Sequence, residues 1–406
     1  MPTLPDLTGN MLIAQSGGPT AVINQTLAGA VMEARQHACI ENVLGAKHGI
    51  QGILDEDFVN LGRETAANLE RVATTPSSAL GSVRKKPTAE DCAKIFEVLR
   101  KYNVRYFFYI GGNDTAETTH IINQHAREAK YEFRCFHLCK TIDNDLRQND
   151  HTPGFGSAAR FVASAFMGDN QDNRALGGVK INVIMGRHAG FLTAAAALAQ
   201  VHPDDGPHLI YLPERPFAMS RFCRDVKRVM KEHGRCVIAV SEGICDSKGK
   251  SIIASFTKEV DSHGNVQLSG TGALGDLLAT ELKKKTGISR VRADTFGYLQ
   301  RSFPGVVSPS DAEEARKVGA MGVRFAVKDF ADGSVAIKRK KSKKYAVDFE
   351  RVTLKSVAKD TRHMPAAYIN KEGNHITPAF LEYVKPLVGP LPEIGRLKDH
   401  PLPKSL

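Results

Sequence analysis

The feature that most restricts the fold of this chain is a regular alternation of short apolar strands and helices joined by glycine-containing turns. Strands are predicted at residues 11–15, 104–110, 133–138, 179–184, 208–212, 235–240 and 290–293, and helices at residues 22–35, 89–102, 116–129, 158–166, 191–200, 220–233, 276–285 and 311–329. This alternation is typical of α/β proteins with parallel sheets. Over 406 residues it predicts two Rossmann-like lobes with mostly parallel sheets and a cleft between them.

The expected lobes follow one another along the chain. We assign residues 1–160 to an N-terminal lobe, residues 161–330 to a C-terminal lobe, and residues 331–406 to a basic loop and a C-terminal extension. Chains of this type often cross between lobes more than once, so we also expect such crossings.

The charge of the chain points to an anionic partner. Lysine and arginine number 55 against 44 aspartates and glutamates, and the formal net charge is +11. Residues 338–344 alone supply six of the cations. This run is typical of a solvated loop, and nucleic-acid binding is the alternative. The remaining mild excess suits small phosphorylated substrates.

Two further observations concern the cellular setting. The sequence lacks a run of roughly 18 apolar residues, which a membrane span needs, and residues 1–6 lack the basic start and apolar core of a signal peptide. The seven cysteines are scattered and form no CxxC pair. We therefore expect a cytoplasmic protein with reduced thiols, without a zinc site and without a membrane partner.

Residues 140–145, KTIDND, close an apolar run that starts at Phe133. A carboxylate at a strand end can accept the proton of an alcohol that attacks phosphorus, which makes Asp143 the candidate base. Asp145 could orient Asp143 or bind Mg²⁺, and Lys140 could neutralise a transferring phosphoryl group. An Asx-rich turn after a strand is the alternative interpretation.

Glycine pairs follow two of the predicted strands, at residues 17–18 and 111–112. A strand, a glycine turn and a helix N-terminus together present backbone amides to an anion. Residues 77–86 form another turn of small residues and end in Arg84, Lys85 and Lys86. An exposed cluster and a phosphate clamp are both compatible with these three cations.

Two other motifs imitate nucleotide sites. Residues 270–275 spell GxGxxG, with Asp294 about 20 residues further on, which would suit a nicotinamide-dependent oxidoreductase. The preceding residues 265–269 are short and polar, so a close-packed helix start is favoured. In residues 243–251 five residues separate the glycines where a P-loop requires four, which argues against a Walker-type NTPase.

Several segments together resemble, in order, the motif blocks of the phosphofructokinase family over about residues 10–320. They are Gly17-Gly18, Gly111-Gly112-Asn113-Asp114, residues 140–145, residues 152–157 (TPGFGS), residues 185–190 (MGRHAG), Ser241-Glu242-Gly243 and residues 297–301 (GYLQR). The resemblance implies the two-lobed fold of that family.

Two positions make the chain similar to the pyrophosphate-dependent branch. ATP-using members typically have glycine at the position of Asp114, whose side chain should intrude on the α-phosphate of a nucleotide. They also lack the lysine that stands here as Lys140, which could bind pyrophosphate. The exclusion of a nucleotide by Asp114 and the attraction of pyrophosphate by Lys140 thus favour the same donor, and specificity is commonly achieved by such a combination. An ATP-dependent 6-phosphofructokinase is the alternative within the family.

The resemblance implies reversible transfer of a phosphoryl group from pyrophosphate to the 1-hydroxyl of fructose 6-phosphate, with Mg²⁺ as cofactor. The implied catalytic residues are Asp143, Lys140 and Asp145. The implied pyrophosphate-binding residues are Gly18, Arg84, Gly111, Gly112, Asp114 and Lys140. The implied sugar-phosphate residues are Thr141, Met185, Gly186, Arg187, Glu242, Arg292, Tyr298 and Arg301.

Arg292 is similar to a family arginine that reaches the substrate of a neighbouring subunit, which implies a homodimer or a larger homo-oligomer. Asn113 stands where many members have a metal-associated aspartate, so Mg²⁺ is assigned to Asp143 and Asn113, with Asp114 as the alternative ligand. A second cross-subunit arginine is not found at the expected spacing, and Lys180 lies near that position.

Overall fold

The computed structural model describes residues 7–85, 87–253, 272–328, 330–358, 360–398 and 400–402. Its strands are β1 (Gly9–Gln15), β2 (Ile40–Ala46), β3 (Phe58–Asn60), β4 (Val104–Gly111), β5 (Arg134–Cys139), β6 (Gly178–Ile184), β7 (Leu209–Tyr211), β8 (Arg235–Ser241), β9 (Val291–Thr295), β10 (Asp332–Arg339) and β11 (Val347–Val352).

The helices alternate with these strands over most of the chain. They are α1 (Ile23–Ala34), α2 (Ile50–Leu54), α3 (Ala66–Ala73), α4 (Ala89–Lys101), α5 (Asn113–Glu128), α6 (Phe155–Leu176), α7 (Phe191–Ala194), α8 (Met219–His233), α9 (Ala273–Thr286), α10 (Leu299–Ser302), α11 (Pro309–Lys328), α12 (Leu354–Val357) and α13 (Pro378–Val388).

The strands form two sheets. The first has the order β11-β10-β5-β4-β1-β2-β3, and only its edge strands β11 and β3 run antiparallel to their neighbours. The second has the order β7-β8-β6-β9 and is parallel throughout. The predicted α/β architecture with two mostly parallel sheets is confirmed.

Strand β4 shows why the first sheet lies between two helical layers. Its side chains alternate between the faces, as in any strand, and both sets are buried and apolar. Tyr106 and Phe108 join a core with α1 and α11, whereas Phe107 and Tyr109 join a core with α2 and α4. A strand buried on both faces is expected at the centre of a parallel sheet.

The chain returns to the first sheet after it has completed the second. Helix α11 packs on α1, and β10 pairs parallel to β5, with Asp332 opposite Cys135. Val335 and Ile337 of β10 are fully buried in the same core as β5. Helix α11 and strands β10 and β11 thus belong to the first sheet and its helical layers, so the packing units differ from the linear ranges that end at residues 160 and 330.

Residues after β11 pack between the lobes. Phe380, Tyr383 and Leu387 of α13 are buried in a core that also contains α6 and the second sheet.

The expected helix over residues 191–200 is a short α-helical turn followed by a 3₁₀ helix at Ala195–Ala199. No helix of the described residues is long and apolar enough to cross a membrane. All seven cysteines carry free thiols.

Helices α1 and α11 approach each other closely because glycines lie at their crossing. A Cβ atom on Gly29 would lie 2.1 Å from the carbonyl oxygen of Arg316, and one on Gly319 would lie 2.1 Å from that of Thr26. Backbone oxygens cannot move aside as a flexible side chain can, so a larger residue must separate the helices.

We expect Gly29→Ala and Gly319→Ala each to lower the free energy of unfolding by about 1–3 kcal/mol, since overpacking displaces the backbone. Gly168→Ala is the matched control, because a Cβ atom on this helical glycine of α6 would have nothing within 4 Å. It should raise stability by about 0.5–1 kcal/mol. Urea unfolding curves measure all three, and equal effects of the three changes would contradict the packing argument.

Candidate active site

A cavity of about 410 Å³ lies between the carboxyl ends of β1, β4 and β5 and the loops that follow β6 and β8. Most of the predicted site residues line it together. They are Gly18, Arg84, Gly112, Asn113, Asp114, Lys140, Thr141, Asp143, Asp145, Met185, Arg187, Glu242 and Arg301. The carboxyl ends of strands are the usual position for ligands in parallel α/β sheets.

Lys140 is fixed where β5 ends. Its backbone N–H donates to the Gly111 carbonyl at 3.0 Å, and its Nζ donates to the Gly18 carbonyl at 2.7 Å. The residue is only 3% exposed. Burial, together with the nearby charges of Arg301 and Arg84, lowers the pKa of Lys140 to about 7. The ammonium group is therefore held against the first glycine turn and loses its proton more easily than an exposed lysine does.

Asp143 and Asp145 lie in the same loop and repel each other. Burial raises the pKa of both carboxyl groups. For Asp143 the charges of Asp145 and Glu242 act in the same direction, whereas the nearby guanidinium groups oppose it. A carboxyl group with a raised pKa is a stronger proton acceptor when it is ionised, which is what a general base requires.

Helix α5 begins at the cavity wall. A Cβ atom on Gly111 would lie 2.0 Å from Thr115 Oγ1, so this turn requires glycine. Gly112 is the N-cap and Asn113 is the first helical residue. Asn113 Nδ2 donates to Asp145 Oδ2 at 3.2 Å, which ties the helix start to the loop after β5. The N-terminal amides of α5 and the Asp114 carboxylate thus reach the same cavity.

The first glycine turn completes this side of the cavity. Gly17 has a φ of 74°, a conformation that favours glycine, and its carbonyl accepts a hydrogen bond of 2.6 Å from Ser82 Oγ. A Cβ atom on Gly18 would lie 2.8 Å from Arg301 Nη1. The two lobes therefore meet at Gly18, where a guanidinium group faces bare backbone.

The opposite wall is built by the ends of β6 and β8. Gly186 has a φ of 133°, and its N–H group lies 3.4 Å from Glu242 Oε1. Ser241 Oγ donates to the Gly186 carbonyl at 2.6 Å. A Cβ atom on Gly243 would lie 2.0 Å from the Arg187 carbonyl oxygen, so the Ser-Glu-Gly turn needs glycine for this contact.

Gln300 was missed by the sequence analysis. It is 1% exposed, its Oε1 accepts from the Met185 N–H at 3.2 Å, and its Nε2 donates to the Gly297 carbonyl at 2.7 Å. It thereby holds α10 against the end of β6. Arg301, the next residue, lies 4.4 Å from the Tyr298 ring centroid. The presence of glutamine in the quoted segment GYLQR was the available signal.

Four of the predicted residues do not line the cavity. Gly111 and Gly186 lie immediately behind its wall and shape the turns described above. Tyr298 is 46% exposed and contacts Arg301. Arg292 is exposed on the edge strand β9, opposite Lys180 in the β6–β9 register. Lys180 forms ion pairs with Asp169 and Asp294.

Other lining residues were not proposed as site residues. Several adjoin predicted ones, namely Ser16, Gly17, Pro19, Val83, Lys85, Thr115, Thr118, Ile142 and His188. Thr361 comes from the segment after β11 and had no signal in its local sequence. Its position depends on long-range packing, since the Arg362 N–H donates to the Asp145 carbonyl at 2.7 Å.

The described residues of the two motifs that imitate nucleotide sites do not line this cavity. Residues 245–251 form a tight turn in which Asp246 Oδ1 accepts from the N–H groups of Lys248 and Lys250. A carboxylate at the centre of a turn excludes a phosphate from it. Gly270 and Thr271 of the GxGxxG segment, and residues 265–269 before it, lie outside the described residues, whereas Gly272 is the N-cap of α9.

The architecture agrees with that of a known protein family. Residues 10–326 match the family model of phosphofructokinase. The chain belongs to the phosphofructokinase family. The predicted family is thus confirmed, and the segments quoted for the resemblance supply the glycine turns, the loop after β5 and the second-lobe loops of the phosphofructokinase cavity.

Two relatives that cover most of the chain carry the same name. The chain is 55% identical over 401 residues to pyrophosphate–fructose 6-phosphate 1-phosphotransferase of Rhodospirillum rubrum, covering 98% of this chain and 99% of that protein. It is 39% identical to the protein of the same name from Xanthomonas campestris, covering 94% and 91%. These relatives support the branch that Asp114 and Lys140 predicted.

A solved structure supports the fold over the whole chain. The crystal structure of pyrophosphate-dependent phosphofructokinase from Nitrosospira multiformis matches with a TM-score of 0.84 and 31% identity, covering 98% of both chains. The phosphofructokinase fold is therefore confirmed for this chain.

Lys140→Met tests the buried ammonium group. Because the folded-state pKa is about 7 and the unfolded value is about 10.4, the unfolded chain binds the extra proton between these pH values. The stability of the wild type relative to the variant should therefore rise with pH from 7 to 10, by at most about 1.4 kcal/mol per pH unit. Loss of the cation also raises the carboxyl pKa values nearby, which acts in the same direction.

Urea unfolding at several pH values measures this difference. Lys101→Met is the control, because a hydrogen bond from Lys101 to Glu56 raises the pKa of that ammonium group, so Lys101 stays protonated over the whole interval in both states. Parallel stability curves for the wild type and Lys140→Met would contradict the assignment.

Proposed function

We propose that this protein transfers a phosphoryl group reversibly from pyrophosphate to the 1-hydroxyl of fructose 6-phosphate, giving fructose 1,6-bisphosphate and phosphate. The observation that carries the proposal is the position of Asp143 in one cavity, between the phosphate-binding side of Gly18, Gly112 and Lys140 and the wall of Arg187 and Glu242. The names of the full-length relatives agree with it.

Asp143 acts as the general base. Its carboxylate accepts the proton of the 1-hydroxyl as that oxygen attacks the phosphorus of pyrophosphate, and the bond to the leaving phosphate breaks. Asp145 supports this role, because its negative charge raises the pKa of Asp143. In the reverse direction the same carboxyl group returns the proton to the sugar oxygen.

Lys140 neutralises charge on the donor side. Bound pyrophosphate brings negative charge next to the buried Nζ, which favours the protonated ammonium. The N-terminal amides of α5 and the turn at Gly17 and Gly18 supply further donors to phosphate oxygens. Arg84 lies on the same side of the cavity. Positioning and electrostatic stabilisation of this kind account for most of the rate in phosphoryl transfer.

The sugar phosphate lies against the second lobe. Thr141, Met185, Gly186, Arg187 and Glu242 bind the sugar, and Tyr298 and Arg301 bind its phosphate end. Arg292 of a neighbouring subunit completes this end, so the active protein is a homodimer or a larger homo-oligomer. The exposure of Arg292 on the edge strand β9 supports this role.

The donor side fits a divalent cation. Asn113 Oδ1 is buried and has no hydrogen-bond partner among the described residues, and it lies in the same cavity as Asp143 and Asp114. The described residues contain no group of three or more His, Cys, Asp or Glu side chains that would hold a metal alone. Mg²⁺ suits such a site, since it binds few carboxylates together with phosphate oxygens and water.

Asp143 and Asn113 would hold Mg²⁺, with Asp114 as the alternative ligand. When bound, the ion would neutralise part of the charge on the phosphates and orient them. The role of Lys140 as a donor-side cation does not depend on the ion, because its position is fixed by the Gly18 carbonyl.

Asp143→Asn tests the base. We expect kcat to fall by about 10²- to 10⁴-fold with pyrophosphate and fructose 6-phosphate, with little change in KM, because amide nitrogen cannot accept the proton. Asp172→Asn makes the same chemical change at an exposed site on α6 and should retain full activity. Steady-state rates of fructose 1,6-bisphosphate formation distinguish the two, and equal activities would remove Asp143 from the reaction.

Asp114→Gly combined with Lys140→Gly tests donor choice. The change removes the side chain that faces the α-phosphate of a nucleotide and the cation that binds pyrophosphate. The ratio of ATP-supported to pyrophosphate-supported kcat/KM should rise at least about tenfold, which corresponds to about 1.4 kcal/mol. The single change Asp114→Asn removes the charge of this side chain and keeps its volume, so it separates the two effects. Equal use of ATP and pyrophosphate by the wild type would contradict the donor assignment.

A further inference from the structure

A second cavity, of about 690 Å³, lies beside the β10–β11 hairpin and α13. Four cations line it, namely Arg339, Lys340, Lys343 and Arg362. Three of them belong to the basic run at residues 338–344, which the proposed reaction does not use. The hairpin turn thus supplies one wall of a concave basic site.

Two carboxylates also line the second cavity, so its charge has to be counted. Asp150 Oδ2 accepts from the backbone N–H of Arg339 at 2.7 Å, and Lys340 forms an ion pair of 2.7 Å with Asp348 outside the cavity. Glu382 is the other lining carboxylate. The four cations exceed the two carboxylates, which leaves a net positive cavity.

The two guanidinium groups are held in fixed positions. Arg339 lies 5.0 Å from the Tyr345 ring centroid and 5.1 Å from that of Tyr383, and its Nη1 donates to the Tyr383 carbonyl at 2.8 Å. Arg362 Nη1 donates to the Asp150 carbonyl at 2.9 Å. A guanidinium group has five N–H donors, so each group retains donors for an oxyanion. Oriented arginines of this kind suit a doubly charged phosphate.

We propose that the second cavity binds a small soluble compound that carries a phosphate group, and that its binding lowers turnover in the first cavity. Arg339, Arg362 and Lys343 bind the phosphate oxygens. The ligand is small because the four cations line one concavity beside the hairpin and α13 rather than an extended basic face of the kind that follows a nucleic-acid backbone.

The two cavities are joined by the loop after β5. Thr361 lines the first cavity and its neighbour Arg362 lines the second. The Arg362 N–H donates to the Asp145 carbonyl at 2.7 Å, and its Nη1 lies 3.5 Å from the Asn144 carbonyl oxygen. An anion that binds the Arg362 guanidinium group in the second cavity competes with its contact to the carbonyl of Asn144, the residue after Asp143.

Tyr383 makes a parallel connection. Its hydroxyl accepts from Asn144 Nδ2 at 2.6 Å and donates to the Asp150 carbonyl at 2.7 Å, while its ring contacts Arg339. A ligand that binds the Arg339 guanidinium group therefore acts on the residue that holds Asn144, which has a φ of 58° and lies between Asp143 and Asp145. Both connections end at Asn144.

The sequence contains no tryptophan, so Tyr368→Trp places a single tryptophan, which can be excited selectively, in the wall of the second cavity. The probes are inorganic phosphate and glycerol 3-phosphate, with KCl at equal ionic strength. We expect a saturable change in fluorescence with at least one phosphate and none with KCl. Tighter binding of glycerol 3-phosphate would identify the ligand as a phosphorylated metabolite, and tighter binding of inorganic phosphate would identify it as the free ion. Citrate that saturates at lower concentration than both would overturn the phosphate class.

Two lysines of the same run provide a matched pair. Lys343 lines the second cavity and Lys341 does not, and both are exposed, so neither change threatens the fold. In the Tyr368→Trp background we expect Lys343→Ala to weaken phosphate binding at least about tenfold, as loss of a charged partner does. Lys341→Ala should leave it within about twofold. Equal weakening by the two changes would mean a general charge effect and would overturn the site.

Steady-state kinetics test the connection between the two cavities. This test rests on the proposed reaction, whereas the fluorescence titration does not. At saturating pyrophosphate and fructose 6-phosphate, glycerol 3-phosphate should lower kcat about fivefold, and Lys343→Ala should abolish the decrease. A competitor in the first cavity would instead raise KM and leave kcat unchanged. That result, or an unchanged kcat while the second cavity is saturated, would overturn the coupling.

Discussion

Burial of charge where β5 ends is the constraint on which the rest of the structure depends. Lys140, Asp143 and Asp145 follow the end of the same strand. Burial lowers the pKa of Lys140 and raises the pKa of Asp143 and Asp145, so it favours the neutral form of each group. An isolated buried charge is costly, so the surroundings must offset it. Arg187 and Arg301 come from the second lobe and lower the pKa of Asp143. The closeness of the two lobes is thus an electrostatic requirement of this loop as well as a consequence of packing.

The loop after β5 is also restrained by residues far along the chain. Asn144 adopts a left-handed conformation that is costly for most side chains, and it is held by Tyr383 of α13. Further on, Asp311 of α11 accepts from the N–H groups of Gly154 and Ser157 at 2.8 and 2.9 Å. Residues after 309 thus fix both ends of the segment that carries the candidate base. The contacts from α11 and α13 therefore restrain an Asx-rich segment that its local sequence alone would not restrain.

The sequence predicted those parts of the structure whose signals are local. Strand ends followed by glycine pairs led to Gly18 and Gly112, which line the same cavity because a parallel sheet brings its carboxyl ends to one edge. Gln300 and Thr361 were missed because their contacts connect distant segments. Strand β10 was missed for a different reason. Its apolar residues merge into the basic run, and cations at a strand end hide the alternation that marks a strand.

The charges that oppose one another in this loop also prepare it for an anionic ligand. Burial lowers the pKa of Lys140 to about 7 and raises that of Asp143, so the two groups compete for protons. Negative charge from a bound phosphate group favours the ammonium form of Lys140. Arg187 and Arg301 favour the carboxylate form of Asp143. In the reaction we propose, the ammonium group neutralises the donor and the carboxylate accepts the alcohol proton, which places the cation and the base of that reaction at one strand end.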